Sequence, residues 1–274
     1  MSDGPAPEMV LSVMTVPDAP FEARVVAAAA AGFDGIGLRP GDRTRAHQAG
    51  LSDADLQAML RDGGLDVVEI DVISGWGGTG EQQASARRHE QRVFELADAL
   101  GGRHVTVVGD VEGSRDRVAS TFADLCDRAA AHDLGVGLEY LPWTTVPDLP
   151  TALRIVEDAG RPNGRVVIDS WHHFRGADDI HQLEDVPAEL VAAVQIDDAG
   201  PRQDDVPLVE ETMDRQLPGD GTFDLRSFLR ALRHVLATTP LCVEVISPRL
   251  AVMPPTKAVA LAAAATRSVL GARR

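Results

Sequence analysis

Eight short apolar segments alternate with longer helical patterns along the chain, and this alternation constrains the fold more than any other feature. Val, Ile and Leu dominate the short segments, which is typical of parallel strands buried on both faces. The longer segments show the periodicity of amphipathic helices. The predicted strands lie at 9–14, 34–38, 65–73, 104–109, 135–141, 164–170, 191–197 and 241–247. The predicted helices lie at 21–32, 52–64, 81–100, 114–132, 146–159, 178–183, 225–237 and 256–270.

Parallel strands covered by helices form either a closed barrel or an open, doubly wound sheet. Eight strand-helix units match a closed (β/α)8 barrel, the TIM barrel, which needs about 250 residues, and the chain has 274. An open sheet that binds a dinucleotide would carry a GxGxxG or P-loop fingerprint. The stretch GGTG at 77–80 has neither spacing. We therefore predict a single α/β TIM-barrel domain over 1–274, in which residues 1–8 form a disordered leader.

Charge and composition limit the partners and the compartment. The formal net charge of −16 argues against binding a polyanion over a broad face. No apolar run reaches the roughly 18 residues of a membrane helix, and the first residues lack the regions of a signal peptide. Cys126 and Cys242 form no metal or redox motif, and we interpret both as buried apolar residues. These features predict a cytoplasmic protein that binds neither nucleic acid nor membranes.

Four predicted strands in the second half of the chain end with an oxygen-bearing side chain. These residues are Glu139, Asp169, Gln195 and Glu244. In a (β/α)8 barrel the carboxyl ends of all strands converge on one face, so that ligands far apart in sequence meet there. Three carboxylates repel one another unless a cation neutralises them. Together with an amide oxygen they form a hard set that suits Mn²⁺ or Mg²⁺, with Co²⁺ also compatible, and predict a metal-dependent enzyme.

Two neighbouring histidines and one arginine are candidates for catalysis or substrate binding. His172 follows Asp169 by three residues and can face the same cavity as a catalytic group, while His173 is a secondary candidate for substrate binding. Arg215 lies in a long connection from 197 to 223, and loops of this length are usually functional or disordered. It precedes the turn QLPGDG, which can hold its guanidinium over the mouth to grip an anionic or hydroxyl-rich substrate.

Other side chains are predicted to line the mouth. Glu69 and Asp71 alternate along the third strand and face the same side, where one is expected to be a buried polar group without a catalytic role. Arg39 ends the second strand and offers a second cation for the substrate. The tryptophans just beyond strand ends, which can form walls of the substrate pocket, are Trp76, Trp143 and Trp171.

Six segments spread over nearly the whole chain follow the order found in one known superfamily. They are AAGFDGIGL, GLEY, VVIDSWHHFRG, VQIDDA, RQLPGDGTFDL and VEVIS. Together they resemble the xylose isomerase-like TIM-barrel superfamily, the sugar phosphate isomerase/epimerase group. There, strand-end Glu, Asp, His or Gln, and Glu bind one divalent cation, and the resemblance maps this set onto Glu139, Asp169, Gln195 and Glu244. The several histidine ligands of the endonuclease branch are absent from the sequence.

Position 195 departs from the epimerase pattern, in which the third ligand is usually His. Gln at this position is similar to hydroxypyruvate isomerase and to bacterial 3-dehydroshikimate dehydratases. The D-x-x-H and Q-x-x-D motifs of those dehydratases also resemble Asp169 with His172 and Gln195 with Asp198. The resemblance therefore implies chemistry next to a carbonyl and leaves the reaction class open.

The ligand set predicts a mechanism. A substrate with adjacent carbonyl and hydroxyl oxygens would chelate such a cation, which lowers the pKa of the α-proton and stabilises an enediolate. Either Glu139 or Glu244 would remove the proton, and the other would return one. We therefore predict a divalent-metal-dependent isomerase or epimerase acting on a sugar or a related polyhydroxy ketone.

Two other functions fit the same residues. If a β-hydroxyl leaves with His172 as its acid, the enediolate gives a metal-dependent dehydratase, a lyase acting on a cyclic keto-polyol or a 3-dehydroshikimate-like acid. A barrel that binds a sugar-like ligand without turnover, or that serves as a subunit of a larger complex, is the third reading. Barrels of this group are often dimeric or tetrameric, so that a homo-oligomer is compatible with the sequence.

Overall fold

Eight parallel strands close into a barrel. The computed structural model describes residues 6–110, 117–176 and 179–271. The strands are β1 (Met9–Leu11), β2 (Gly35–Leu38), β3 (Asp66–Ile73), β4 (His104–Val108), β5 (Gly135–Glu139), β6 (Gly164–Asp169), β7 (Val191–Ile196) and β8 (Leu241–Val243). Each pairs with the next along the chain, and β8 pairs back with β1, where Met9 lies opposite Leu241. The predicted α/β class and TIM-barrel architecture are confirmed.

Helices connect the strands and cover the barrel. They are α1 (Phe21–Ala30), α2 (Pro40–Gln48), α3 (Asp53–Gly63), α4 (Gly80–Leu100), α5 (Val118–Ala130), α6 (Leu149–Ala159), α7 (Ser170–Arg175), α8 (His181–Glu184), α9 (Leu208–Glu211), α10 (Leu225–Ala231), α11 (Pro248–Ala251) and α12 (Pro255–Leu270). The prediction of eight helices was too low, because short helices also form in the connections. No helix in the described part of the chain combines the length and apolarity that a membrane crossing needs.

The first and last strands are shorter than predicted, and this places two polar side chains at the mouth. β1 stops at Leu11 because Ser12 begins a 3-10 turn, in which its Oγ accepts a hydrogen bond from the backbone N–H of Met14 at 3.3 Å. β8 stops at Val243, so that Glu244 leaves the sheet at the same end. Ser12 Oγ donates to Glu244 Oε1 at 2.8 Å and connects the two strand ends.

Capping residues set helix ends that the apolar pattern placed differently. α6 begins at Leu149, three residues later than predicted, because Asp148 accepts a hydrogen bond from the backbone N–H of Thr151 at 2.8 Å. The sequence did not predict α2. It begins where the carboxylate of Asp42 accepts from the backbone N–H of Arg39 at 2.8 Å.

Three predictions fall partly outside the described ranges. These are the leader residues 1–5 and the starts of the helices predicted from 114 and from 178. Glu8, at the end of the predicted leader, is held by an ion pair with Arg103 at 2.6 Å. The leader prediction is therefore wrong at its last residue, which is attached to the barrel.

Apolar side chains pack on both sides of the strands. The main core lies between the barrel and its helices and includes Phe122, Leu138 and Ile168. Both cysteines, Cys126 and Cys242, are buried, as predicted. A smaller cluster inside the barrel contains Val10, Val68, Val167, Ala192, Ala193 and Cys242. Because this cluster fills part of the interior, the barrel has a packed core and polar chemistry concentrates at the mouth.

Candidate active site

The four predicted ligands lie on four consecutive strands at the carboxyl end of the barrel. Glu139 and Asp169 are the last residues of β5 and β6, and Gln195 lies opposite Asp169 in β7. Glu244 directly follows β8. Each side chain is buried, with at most 6% of its residue surface exposed. The structure therefore brings the predicted ligands to one end of the barrel, as the strand-end rule requires.

The guanidinium of Arg215 lies among these carboxylates. Its Nη1 donates to Asp169 Oδ2 at 2.9 Å, to Glu244 Oε2 at 3.2 Å and to Asp197 Oδ2. Its Nη2 donates to Thr212 Oγ1 at 3.0 Å. Burial alone would lower the pKa of Arg215, but the surrounding carboxylates outweigh burial and raise it. The guanidinium thus lies deeper than the predicted position over the mouth, because the buried carboxylates attract it.

The connection from 197 to 223 positions Arg215. The carboxylate of Asp198 accepts hydrogen bonds from the backbone N–H groups of Gly219 at 2.9 Å and Phe223 at 3.1 Å. A Cβ at Gly221 would lie 2.2 Å from Asp198 Oδ1, so that only glycine allows this close approach. Asp198, the Asp of the Q-x-x-D motif, therefore stabilises the loop, and the loop in turn positions Arg215.

His172 forms a buried pair with Glu139. His172 Nε2 lies 3.3 Å from Glu139 Oε1 and 3.4 Å from Arg215 Nη2. The centroids of Trp143 and Trp171 both lie 5.3 Å from the imidazole centroid, which fixes the ring between them. Burial raises the pKa of Glu139, while His172 opposes that shift. The predicted catalytic histidine thus lies next to a predicted catalytic carboxylate.

The site contains buried donor atoms of the kind that bind a cation. Ligand atoms of Glu139, Asp169 and His172 lie within 4.8 Å of one another. Gln195 Oε1 is buried and has no hydrogen-bond partner among the described residues. An unsatisfied buried acceptor costs about 1–3 kcal/mol, and a cation would satisfy it. Burial also raises the pKa of Glu244 well above its usual value, since the single positive charge of Arg215 offsets it only in part. These residues therefore fit a hard divalent cation.

A cavity of about 990 Å³ adjoins the site through Trp143. Polar side chains contribute to its wall, namely Ser74, Asp110 and Thr144 from the loops after β3, β4 and β5 and Gln82 and His89 from α4. The four predicted ligands do not line this cavity. Trp143 also packs against His172 and so lies between the cavity and the ligand cluster, the group formed by the predicted ligands Glu139, Asp169, Gln195 and Glu244. Its contact with substrate stays a prediction.

Two other residues predicted to line the mouth, Trp76 and Arg39, make hydrogen bonds to backbone oxygens. Trp76 Nε1 donates to the backbone oxygen of Val108 at 2.7 Å, and its ring packs edge-on against Phe122 with centroids 6.0 Å apart. Arg39 Nη2 donates to the backbone oxygen of Pro17 at 3.0 Å. These contacts stabilise the loops around the mouth, and the structure does not bring either residue into the ligand cluster.

The sequence profile of the xylose isomerase-like TIM barrel family matches residues 25–269. The chain belongs to this family. The 3-dehydroshikimate dehydratase of Pseudomonas aeruginosa is 30% identical over 230 residues, which cover 82% of this chain and 36% of that enzyme. The inosose isomerase of Bacillus velezensis is 26% identical over 230 residues, which cover 79% of this chain and 80% of the isomerase. The family relatives thus include an isomerase and a dehydratase, and the chain spans about a third of the dehydratase.

A crystal structure of the IolI protein with a bound zinc atom has the same fold. It superimposes with a TM-score of 0.86 over 96% of this chain and 98% of IolI, at 20% sequence identity. At this identity the likeness shows the barrel architecture and no more. The position of the ligand cluster within this xylose isomerase-like barrel follows from its own strand ends.

His173 lies outside the ligand cluster. Its ring packs against Phe174 and Phe228, with centroids 5.6 Å and 5.9 Å away. Burial lowers the pKa of His173 to about 4. The structure therefore places His173 in an aromatic cluster beside α10, and its contact with substrate stays a prediction.

This burial predicts acid sensitivity. In the unfolded chain His173 binds a proton with a pKa near 6.5, whereas in the folded protein its imidazole stays neutral until the pH falls to about 4. Stability is therefore lost as the pH falls through this window, by at most about 3 kcal/mol. Urea unfolding between pH 7.5 and 4 should show a smaller loss in His173→Phe than in the wild type. Equal losses in His173→Phe and in the wild type would contradict this prediction.

Sequence reasoning missed two residues of the site. Asp197 is fully buried, accepts from Arg215 and also accepts from Ser170 Oγ at 2.7 Å. Ser12 contacts Glu244. Both lie within the predicted strands at 9–14 and 191–197, and each directly follows the observed end of its strand, Leu11 in β1 and Ile196 in β7. Applying the strand-end rule to the first strand, and to both of the last two residues of the seventh predicted strand, identifies them. Glu69, predicted to face this side, is fully buried.

Proposed function

We propose that this protein is a divalent-cation-dependent isomerase or epimerase that acts on a polyhydroxy ketone through an enediolate. The observation that carries the proposal is the convergence of three strand-end carboxylates with the unpartnered oxygen of Gln195. The relationship to inosose isomerase supports a cyclic keto-polyol as the substrate class. Mn²⁺ or Mg²⁺ suits such an oxygen set.

The ligands Glu139, Asp169, Gln195 and Glu244 would hold the cation. When bound, a divalent cation polarises a carbonyl and makes the neighbouring C–H more acidic. Burial raises the pKa of both Glu139 and Glu244, which favours proton exchange closer to neutral pH. One of these glutamates would take the α-proton and the other would return a proton to the neighbouring carbon or to the opposite face.

Other side chains support this proton transfer. The buried guanidinium of Arg215 is held by Asp197 and Thr212, and it supplies a fixed positive charge close to where negative charge develops on the substrate oxygens. Trp143 would close the substrate pocket on the side of the adjoining cavity. Such preorganised groups require little rearrangement during the reaction.

A dehydratase is the second candidate, and the His172–Glu139 pair favours it. The 3.3 Å contact places an acid beside a base in one buried site. Glu139 would remove the α-proton, and the β-hydroxyl would leave as water with a proton from His172, which forms a carbon–carbon double bond conjugated to the carbonyl. The relationship to 3-dehydroshikimate dehydratase supports a cyclic keto-polyol acid as that substrate.

A substrate panel separates these functions. Purified protein treated with EDTA and then supplied with Mn²⁺ should act on an inosose, a ketose or 3-dehydroshikimate. In D₂O, proton NMR should show loss of the α-proton signal for an isomerase, whereas a dehydratase should produce the ultraviolet absorbance of an enone or catechol. A control without Mn²⁺ should be inactive.

Cation binding provides an independent measurement. Free Mn²⁺ at 100 times its Kd should stabilise the folded protein by about 2.7 kcal/mol. If the protein binds no stoichiometric cation and gains no thermal stability from Mn²⁺ or Mg²⁺, both enzyme proposals fail. A barrel that binds a sugar-like ligand without turnover would then be favoured.

A further inference from the structure

The orientation of the Gln195 amide is decided by one contact. Gln195 Nε2 donates to Glu69 Oε1 at 3.0 Å, and Oε1 of the same amide has no partner within the described residues. The oxygen and nitrogen of an amide can exchange places by a 180° rotation. A carboxylate accepts hydrogen bonds and does not donate them, so that only the nitrogen end of Gln195 can face Glu69.

Glu69 is itself held in place. It is fully buried, and Thr106 Oγ1 donates to the same Oε1 at 3.0 Å. His104 Nε2 lies 3.8 Å from that oxygen. On the other side, a Cβ at Gly37 would lie 3.3 Å from Glu69 Oε2, so that the glycine leaves room for the carboxylate. Glu69 is therefore a fixed acceptor rather than a mobile side chain.

The contact crosses the interior of the barrel. Glu69 lies on β3 and Gln195 on β7, and these strands are not neighbours in the sheet. The carboxylate therefore approaches Gln195 from the opposite side of the barrel, while Asp169 lies beside Gln195 on the adjacent strand. The nitrogen of the Gln195 amide thus contacts Glu69, whereas its oxygen has no partner among the described residues.

We propose that Glu69 is a positioning residue for the third cation ligand: it holds the amide nitrogen of Gln195, so that the amide oxygen faces the cation. This inference rests on the proposed cation site. Without the Glu69 acceptor the amide can rotate and present its nitrogen, which cannot bind a cation. Partners that orient a metal ligand in this way typically contribute 10- to 100-fold in affinity.

Two variants of Glu69 separate position from charge. Glu69→Met removes the acceptor and should weaken Mn²⁺ binding by about 10- to 100-fold in titration calorimetry. Glu69→Gln removes the charge, but two donors, Thr106 and Gln195, select its carbonyl oxygen for the same place. Its Mn²⁺ affinity should stay within about threefold of the wild type. Equal loss in both variants, or unchanged affinity in Glu69→Met, would overturn the inference.

A measurement on metal-free protein tests the contact itself. In ¹⁵N-labelled wild-type protein, the side-chain amide protons of Gln195, identified by their loss in Gln195→His, should exchange slowly with solvent. Their exchange should remain slow in Glu69→Gln, whereas in Glu69→Met their signals should shift or broaden. An unchanged Gln195 signal in Glu69→Met contradicts the contact.

The two measurements distinguish this inference from the proposed function. If wild-type protein binds no Mn²⁺, the proposed function fails and the positioning role fails with it, while the amide signal still reports whether the contact exists. If the wild type and Glu69→Met bind Mn²⁺ equally, only the role of Glu69 fails. Thermal unfolding of each metal-free variant verifies that the barrel is folded.

Discussion

Glu244→Gln should lower kcat by about a thousandfold or more, because this residue combines the roles of cation ligand and proton carrier. In the structure its two carboxylate oxygens accept separately from Ser12 at 2.8 Å and from Arg215 at 3.2 Å. An amide presents an NH₂ group to one of these donors, so that one hydrogen bond is lost as well. The measurement is steady-state turnover of the substrate found in the panel, at saturating Mn²⁺, together with the Mn²⁺ dissociation constant.

The control for this variant is the same substitution at Glu157, which is exposed on α6. Glu157→Gln should keep full activity and full cation affinity. Thermal unfolding of Glu244→Gln establishes that any loss of activity does not come from unfolding. Full turnover with unchanged Mn²⁺ binding in Glu244→Gln would refute its assignment as ligand and acid/base.

Arg215→Met should destabilise the metal-free protein by about 3–5 kcal/mol, since it leaves buried carboxylates without their counter-charge. For a chain of this size the melting temperature should fall by roughly 10 °C. Burial by itself raises the pKa of Asp169, and Arg215 is the largest influence that holds it below its usual value. In the variant the carboxylates must remain charged in a buried site or take up protons.

The pH and the cation should both modulate this loss. A carboxylate whose pKa is raised in the folded state lowers the free energy of unfolding once the pH exceeds its pKa in the unfolded chain. The difference in stability between the wild type and Arg215→Met should therefore be larger at pH 8 than at pH 5. Mn²⁺ should stabilise the variant more than the wild type, because it restores the missing positive charge. Differential scanning calorimetry measures both effects.

Arg249→Met provides the matched control. Arg249 is exposed and borders a cavity of about 390 Å³ that Arg215 also lines. Its replacement should change stability by less than about 0.5 kcal/mol. If Arg215→Met is as stable as Arg249→Met at pH 8, the guanidinium does not neutralise the buried carboxylates and the electrostatic description of the site is wrong.

The barrel and the convergence of the four strand-end oxygens could be predicted because both depend on local patterns. A buried parallel strand needs a continuous apolar run, and the residue at its end is identified by its place in that run. Closure then brings all such ends together. The sequence alone therefore identifies Glu139, Asp169, Gln195 and Glu244 as a group.

Strand and helix ends were less predictable because capping contacts decide them. The apolar pattern continues past Leu11 and Val243, yet β1 and β8 stop there. Ser12 and Asp148 each accept a hydrogen bond from a nearby backbone N–H, and this contact ends a strand or begins a helix. The apolar pattern continues through the same residues, so that the pattern alone does not locate the end of the element. The identity of the reaction depends on loop side chains around the site, whose arrangement a single sequence does not specify.

The sequence by itself determined the class of fold, the four strand-end oxygens and the family resemblance, because each is written in short stretches of chain. Only the tertiary structure decided how charges and hydrogen bonds are shared among them. The depth of Arg215 within the carboxylates and the contact between Glu69 and Gln195 are examples. The second of these contacts joins residues 126 positions apart. Contacts between residues so far apart in sequence depend on side-chain packing across the closed barrel and on the path of the 197–223 connection, and the local apolar pattern specifies neither.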